Sequence, residues 1–279
     1  MKVGIRLHDL AKESYKTIFK KCKDAGFDYI QLVFKKALLD DNNEVMLFSE
    51  ENALKVKPYL EESGLKVSML GAYFNPVHSN KELVKKNVEY FKEHLKYASI
   101  LDAEYVGSET GSYNDDKWTY NPKNQTETGY RESIEVFKDL VVTAEKYNKT
   151  ILMEPAWGHI MYDVDTLKRC VEELNSPNVK VTIDIYNLLY IGNYKNYKEI
   201  FHYALTTFNK DIKVIHLKDF NVVDDSLKQC GLGKGIIDFD YIIKEVNAYA
   251  PEAVLTFEGV TGEDIPTSLE LIKSIINKN

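Results

Sequence analysis

The chain has 279 residues, 44% of them hydrophobic and 28% charged, so it can bury a large core and does not have the composition of a disordered polymer. Its 36 Lys and Arg stand against 43 Asp and Glu, a formal net charge of −7. Phosphate affinity comes largely from basic side chains, so this balance argues against nucleic acid as the main partner.

In chain order, short runs rich in Val, Ile, Leu and Tyr alternate with longer stretches of helical period. Residues 2–7 predict the first strand and 13–25 the helix behind it, stopped by Gly26. The second strand covers 29–34, followed by a helix over 50–63 with Gly64 as its C-terminal cap. The third strand, 66–73, precedes an amphipathic helix from about 81 to 101. The fourth begins at 104–107 and leads through a polar loop, 108–124, to a helix ending near Asn148. Strands at 150–154, 179–184, 212–217 and 253–258 then lead into helices over 163–174, 195–209, 238–249 and 264–277.

Eight strand–helix units in strict alternation predict a parallel sheet with right-handed crossovers, and eight strands close a barrel. An open doubly wound sheet would carry a glycine fingerprint after its first strand, and none is present. No repeat, low-complexity tract or linker interrupts the pattern. Residues 1–279 therefore read as one α/β domain, a single (β/α)8 TIM barrel, near the ~250 residues typical of that fold. The longest loops, 35–49, 108–124 and 220–236, all follow strands and so belong to the C-terminal face, where barrels build their active sites.

Cys22, Cys170 and Cys230 are scattered and form no CxxC pair, so neither a disulfide framework nor a zinc finger is expected. The start, MKVGIRLHDL, lacks the apolar run of a secretory signal. No window approaches the ~18 consecutive apolar residues of a membrane span. A soluble, cytoplasmic protein without a membrane partner is expected.

The chemistry lies where polar residues end apolar strands. ILME ends in Glu154, VKVTID in Asp184, KVIH in His216 and AVLTFE in Glu258. A buried carboxylate is costly unless paired or bound to a cation. In a barrel these four groups converge above the last four strands, and three carboxylates with one imidazole call for a divalent metal ion. The high oxygen count favours Mn²⁺ or Mg²⁺, with Co²⁺ or Zn²⁺ as alternatives.

The segments MEP at 153–155, TIDIYN at 182–187, VIHLKD at 214–219, GLGKGIIDF at 231–239 and FEG at 257–259 carry a family resemblance. The chain resembles the xylose-isomerase-like barrels, in particular the sugar (phosphate) isomerase/epimerase branch with its ketose 3-epimerases and inosose-processing enzymes. The resemblance implies that Glu154, Asp184, His216 and Glu258 ligate one divalent metal. It also implies that Glu154 and Glu258 act as an acid/base pair on opposite faces of a small sugar substrate. Homodimers or homotetramers are implied by the resemblance alone.

Taking a proton α to a carbonyl needs a base near the carbon and an electrophile on the oxygen, which a carboxylate pair and a metal supply through a cis-enediolate. The same set suits a dehydratase or lyase acting on an inosose- or dehydroshikimate-like substrate. A noncatalytic sugar-binding barrel is the third reading. The family has DxxH at strand six, whereas this chain reads Asp184-Ile185-Tyr186-Asn187. Asn187 can hydrogen-bond a sugar hydroxyl but neither carries a proton nor ligates metal as well, which weakens a nuclease reading most.

Further substrate contacts are expected from Lys218, two residues beyond His216 on the same side of the strand, and from Trp157 and His159 in the loop after Glu154, the indole stacking on a sugar face. Asn75, Glu109 and His8, at other strand ends, complete the candidates, with Tyr73, Phe74 and Thr110 beside them. Gly231, Gly233 and Gly235 with Lys234 form either a phosphate-holding loop or, more simply, a tight turn. His78, His94 and His202 read as structural.

Overall fold

A computed structural model describes residues Met1–Lys278, so the expected domain of 1–279 ends one residue beyond the described span. Eight parallel strands close into a barrel: β1 (Lys2–Arg6), β2 (Tyr29–Leu32), β3 (Lys66–Gly71), β4 (Tyr105–Glu109), β5 (Thr150–Glu154), β6 (Val179–Asp184), β7 (Ile212–Leu217) and β8 (Val254–Phe257). Each pairs with its neighbours in sequence, and β8 returns to β1 with Gly4 opposite Thr256. The main helices between them are α1 (Ile18–Asp24), α2 (Glu50–Ser63), α3 (Lys81–Tyr97), α4 (Glu127–Tyr147), α5 (Val164–Leu174), α6 (Tyr197–Phe208), α7 (Phe239–Tyr249) and α8 (Asp264–Lys278). The fold is the single (β/α)8 TIM barrel that the alternation predicts. Among the described residues, no helix is long and apolar enough to cross a membrane.

Local signals set the helix ends. The side chains of Ser49, Thr126 and Asp163 accept from the N–H groups of Asn52, Gly129 and Thr166, satisfying first-turn donors that have no helical partner. Helix α2 stops where Gly64 takes φ 69°, a left-handed geometry that ends the ladder at little cost for glycine.

Strand residues alternate between the helix-covered outside and the barrel interior. Inside, Met69, Leu152 and Val214 form an apolar plug separate from the main core. It fits because β4 offers Gly107, where a Cβ would fall on Met69 Sδ. Gly107→Ala is therefore expected to lower stability by ~1–3 kcal/mol through overpacking. A urea midpoint equal to wild type would show that the plug has slack. Two residues above this layer, the same alternation delivers Arg6, Glu109, Glu154, Asp184, His216 and Glu258. Glu109 lies in register with Glu154, and Asp184 with His216.

Four expected segments differ. The helix over 13–25 starts only at Ile18, because Glu13–Ser14 is drawn into parallel pairing with Leu38–Leu39. That pairing and a helical turn at Phe34–Ala37 also structure the expected loop 35–49. The helix over 81–101 ends at Tyr97, and its last residues tighten into a 3-10 turn closed by Asp102 at φ 51°. The expected loop 220–236 contains an antiparallel hairpin, Asp219–Val223 with Ser226–Cys230. Its two-residue turn places Asp224 and Asp225 at φ 49° and 51°, the type I′ geometry that suits strand twist.

Candidate metal centre

Strands β5 to β8 each carry one polar group at or within one residue of the C-terminal end, and these groups meet. Glu154, Asp184, His216 and Glu258 each offer a ligand atom, and the four atoms lie within 4.8 Å of one another. All four residues are buried or nearly so, at most 9% exposed. His216 Nδ1 stands 2.8 Å from Glu258 Oε2, 3.2 Å from Glu154 Oε1 and 3.8 Å from Asp184 Oδ2.

The other imidazole nitrogen is also engaged. His216 Nε2 donates to Gln31 Oε1 at 2.7 Å, and Gln31 Nε2 donates to the Tyr73 hydroxyl at 2.6 Å. This chain holds the ring with Nδ1 toward the carboxylates, the role an outer partner plays for a metal-ligating histidine. Gln31→Leu is expected to weaken divalent-metal affinity by about 10–100-fold. Calorimetric titration giving the wild-type constant would remove Gln31 from that role.

Two fixed cations flank the cluster. Lys218 is 4% exposed, and its Nζ lies 2.7 Å from both Asp184 Oδ2 and Glu258 Oε1 while donating to Asn187 Oδ1 at 3.1 Å. Arg6 Nη1 donates to the same Glu258 oxygen at 2.7 Å, and its Nε and Nη2 grip Asp9. Asn187 Nδ2 donates to Glu154 Oε1 at 2.7 Å, linking Glu154 to Lys218 through one amide.

The electrostatics follow from burial against these partners. Burial works against the Glu258 carboxylate, yet Lys218, His216 and Arg6 outweigh it and hold the group well below the usual carboxylate range. Burial also opposes charge on His216, but Glu258 and Glu154 push it up to about 10. Asp184 rises to about 6 through burial, moderated by Lys218. Glu109 is pushed up to about 8 by burial and by the Glu154 and Glu258 charges.

The residues fit a divalent cation. Asp184 Oδ2 is buried and receives no aligned hydrogen bond, even though the Lys218 ammonium is at ion-pair distance. Three carboxylates and an imidazole form an oxygen-rich donor set with one nitrogen.

The other candidates divide. Glu109, Asn187, Trp157 and His159 line one cleft of about 550 Å³ at the barrel mouth, together with Tyr120 and Tyr190. His159 is buried, with Nδ1 unpartnered, and burial pushes its pKa down to about 4. It is a neutral group suited to a hydroxyl. His8 sits in the short helix Leu7–Leu10 after β1, is pushed down to about 3 by burial and by Arg6 and Lys36, and also keeps a free Nδ1. Thr110 holds the loop backbone by accepting from the Met161 N–H, and Phe74 packs on Phe91.

Two expected contacts need correction. Trp157 stacks with Tyr190 at 3.9 Å and with Tyr120 at 5.6 Å, nearly parallel to both. Its π surface is taken up by protein, so it is a wall of the cleft, not an open platform for a sugar. Asn75 donates to the carbonyls of Ser112 and Asp115 and accepts from the N–H groups of Val77 and Ser112. Its capacity is spent clamping the loop after β4.

The glycine-rich segment is the tight turn. The N–H groups of Gly233 and Gly235 donate to Asp219 Oδ2, and those of Phe220 and Ile237 to Oδ1. A buried carboxylate of the chain itself occupies the place a phosphate would take. His94 packs between Phe48 and Tyr90, and His202 pairs with Glu245 on the surface, both structural. His78 stands beside Asp115 and Asp116, away from the cluster.

Arg6 and Gln31 were not among the candidates. A signal for both existed: each sits at an inward position of the alternation that carries Glu154 and Asp184, and Gln31 interrupts an otherwise apolar strand, YIQL.

Comparison with known proteins agrees with the fold. A family model described as xylose isomerase-like TIM barrel matches residues 19–275. None of the curated proteins compared with the chain matches it. Among solved structures, a D-tagatose 3-epimerase-like protein superposes with a TM-score of 0.75 at 21% identity, over 100% of this chain and 99% of that one. The IolI protein with a bound zinc atom gives 0.75 at 17% identity, over 100% and 99%. The probable 3-DHS dehydratase AsbF from Bacillus anthracis gives 0.72 at 14% identity, over 99% of each chain. At these identities the likeness shows the fold, which an epimerase-like protein, a zinc-binding protein and a probable dehydratase share. With the closed eight-stranded order and the family match in agreement, the chain belongs to the xylose isomerase-like TIM-barrel family.

Proposed function

We propose that this protein is a divalent-metal-dependent isomerase or epimerase of a small sugar, sugar phosphate or cyclitol, moving a proton at a carbon next to a carbonyl. The observation that carries this reading is the pair Glu154 and Glu258, which approach one imidazole nitrogen from strands β5 and β8 within a four-ligand cluster. A divalent ion held by Glu154, Asp184, His216 and Glu258 would polarise adjacent carbonyl and hydroxyl oxygens and stabilise the enediolate, with Mn²⁺ the best match to the donor set and Mg²⁺, Co²⁺ or Zn²⁺ as alternatives.

The chain's own groups do the rest. Glu154 and Glu258 exchange the substrate proton, one taking it and the other returning it. Return to the opposite face of the same carbon gives epimerisation, and delivery to the neighbouring carbon gives aldose–ketose isomerisation. Lys218 and Arg6 keep Glu258 ionised, and Asn187 orients Glu154. Asn187, His159, Glu109 and His8 bind hydroxyls, with Glu109 in its protonated form as donor. The enzyme acts in the cytoplasm as a homodimer or homotetramer, which size-exclusion chromatography with light scattering tests.

The direct test is incubation of the Mn²⁺-loaded protein with ketoses and inososes in D₂O. Deuterium at the carbon beside the carbonyl, absent with Glu154→Gln, supports the reading. A dehydratase at the same centre would instead give an unsaturated, ultraviolet-absorbing product. Full turnover after metal removal would overturn both.

A further inference from the structure

Resting on that reading, we propose that the substrate is an uncharged glycoside: the metal centre takes the ring that carries the carbonyl, and an aromatic subsite beside it takes a second ring. The cleft runs from Glu109 and Asn187 at the centre outward to Tyr190, Ile191 and the hairpin tip at Asp225 and Ser226. Its volume of about 550 Å³ lies in the ~300–1,000 Å³ range of small-molecule sites and leaves room beyond one pyranose.

The chemistry of the walls selects the occupant. The lining includes no lysine and no arginine; besides the phenols of Tyr120, Tyr186 and Tyr190, its ionisable groups are the carboxyls of Glu109 and Asp225 and the neutral imidazole of His159. Lys218, the buried cation that reaches the lining at Asn187, is committed to Asp184, Glu258 and Asn187. The amides of the glycine-rich turn are committed to Asp219. A phosphate or carboxylate in the cleft would meet the Asp225 carboxyl and no cationic side chain of the lining, so an anionic substituent is selected against.

The outer walls are apolar and already ordered. Tyr120, Trp157 and Tyr190 form a parallel stack, and Tyr120 and Ile191 remain 45% and 42% exposed. A sugar ring's C–H face or an aryl group gains apolar contact there, and a wall that is stacked beforehand loses little freedom on binding. The buried, unpartnered Nδ1 of His159 supplies a hydrogen-bond acceptor at the lining. The hairpin rim is held by Tyr186, whose hydroxyl donates to the Leu227 carbonyl at 3.1 Å.

The chain's two tryptophans, Trp118 and Trp157, both line this cleft, so intrinsic fluorescence reports its occupancy, with calorimetry as the second measurement. The Mn²⁺-loaded full chain is titrated with glucose, cellobiose, phenyl β-D-glucoside and glucose 6-phosphate. Cellobiose and the phenyl glucoside are expected to bind about tenfold tighter than glucose, the worth of one added ring contact, and glucose 6-phosphate no tighter than glucose. Tyr190→Ala should erase the two-ring advantage while metal stoichiometry stays unchanged. Ile191→Asp, at an exposed edge, should do the same without touching the stack. Equal affinity for one- and two-ring sugars, or no binding by any of the four, overturns the proposal. So does tighter binding of glucose 6-phosphate that is lost in Lys36→Ala, which would move the subsite to the lysine over Tyr73. Metal content and deuterium uptake are read separately, so failure of the metal-centre reading and failure of the two-ring subsite are distinguishable.

Discussion

Glu154→Gln and Glu258→Gln are each expected to lower turnover by about 10²–10⁴-fold, the range that a positioned acid or base contributes, in a barrel that still folds. Glutamine keeps the shape and an oxygen ligand but cannot accept the substrate proton. The two changes should differ in their effect on stability. Glu258 receives Arg6 and Lys218 on one oxygen and His216 on the other, so its loss leaves buried cations short of charge, a strongly destabilising change. Glu154 has Asn187 and His216 as partners, and its loss disturbs the cluster less. Single-turnover rates beside thermal melts separate the effects. A rate near wild type in either folded variant would remove the acid/base pair.

His216→Ala is expected to reduce metal from about one divalent ion per chain to a small fraction, by elemental analysis after dialysis. Alanine removes the nitrogen donor and leaves three carboxylates that repel one another. The pH dependence of uptake has a definite sign. In the metal-free cluster the Glu258 and Glu154 charges hold His216 protonated up to about 10, whereas a ligating imidazole must be neutral. Metal therefore displaces a proton, and apparent affinity should rise roughly tenfold per pH unit through the neutral range. It falls again as pH is lowered. Calorimetry in buffers of different ionisation enthalpy would detect the released proton, and a pH-independent constant would show that Nδ1 is not the ligand.

The site and the fold were legible in the sequence to different depths. Glu154, Asp184, His216 and Glu258 could be read because each is a polar residue ending an apolar run, and the register of a closed barrel brings such ends to nearly one level. Lys218 followed from its spacing beyond His216, and Asn187 from the family resemblance at strand six. The hairpin at Asp219–Cys230 escaped because its turn is Asp224-Asp225, without the glycine that usually supports positive φ in such turns. Trp157 lines the cleft and Asn75 clamps the loop after β4, because partners that could not be anticipated claim both side chains. A side chain's spare hydrogen bonds or free ring face depend on what packs against it, and that is not written in its own segment.

By itself the sequence determined the strand–helix alternation, its count of eight and the polar groups that end the last strands, because all three are local patterns of burial repeating every two or 3.6 residues. Only the tertiary structure decided how those groups satisfy one another. Arg6 on Glu258 spans 252 positions, Gln31 on His216 spans 185, and Asp219 turns the glycine-rich amides inward. Such pairings depend on barrel closure and on the competition among buried charges for the few partners within reach, and neither leaves a periodic trace along the chain.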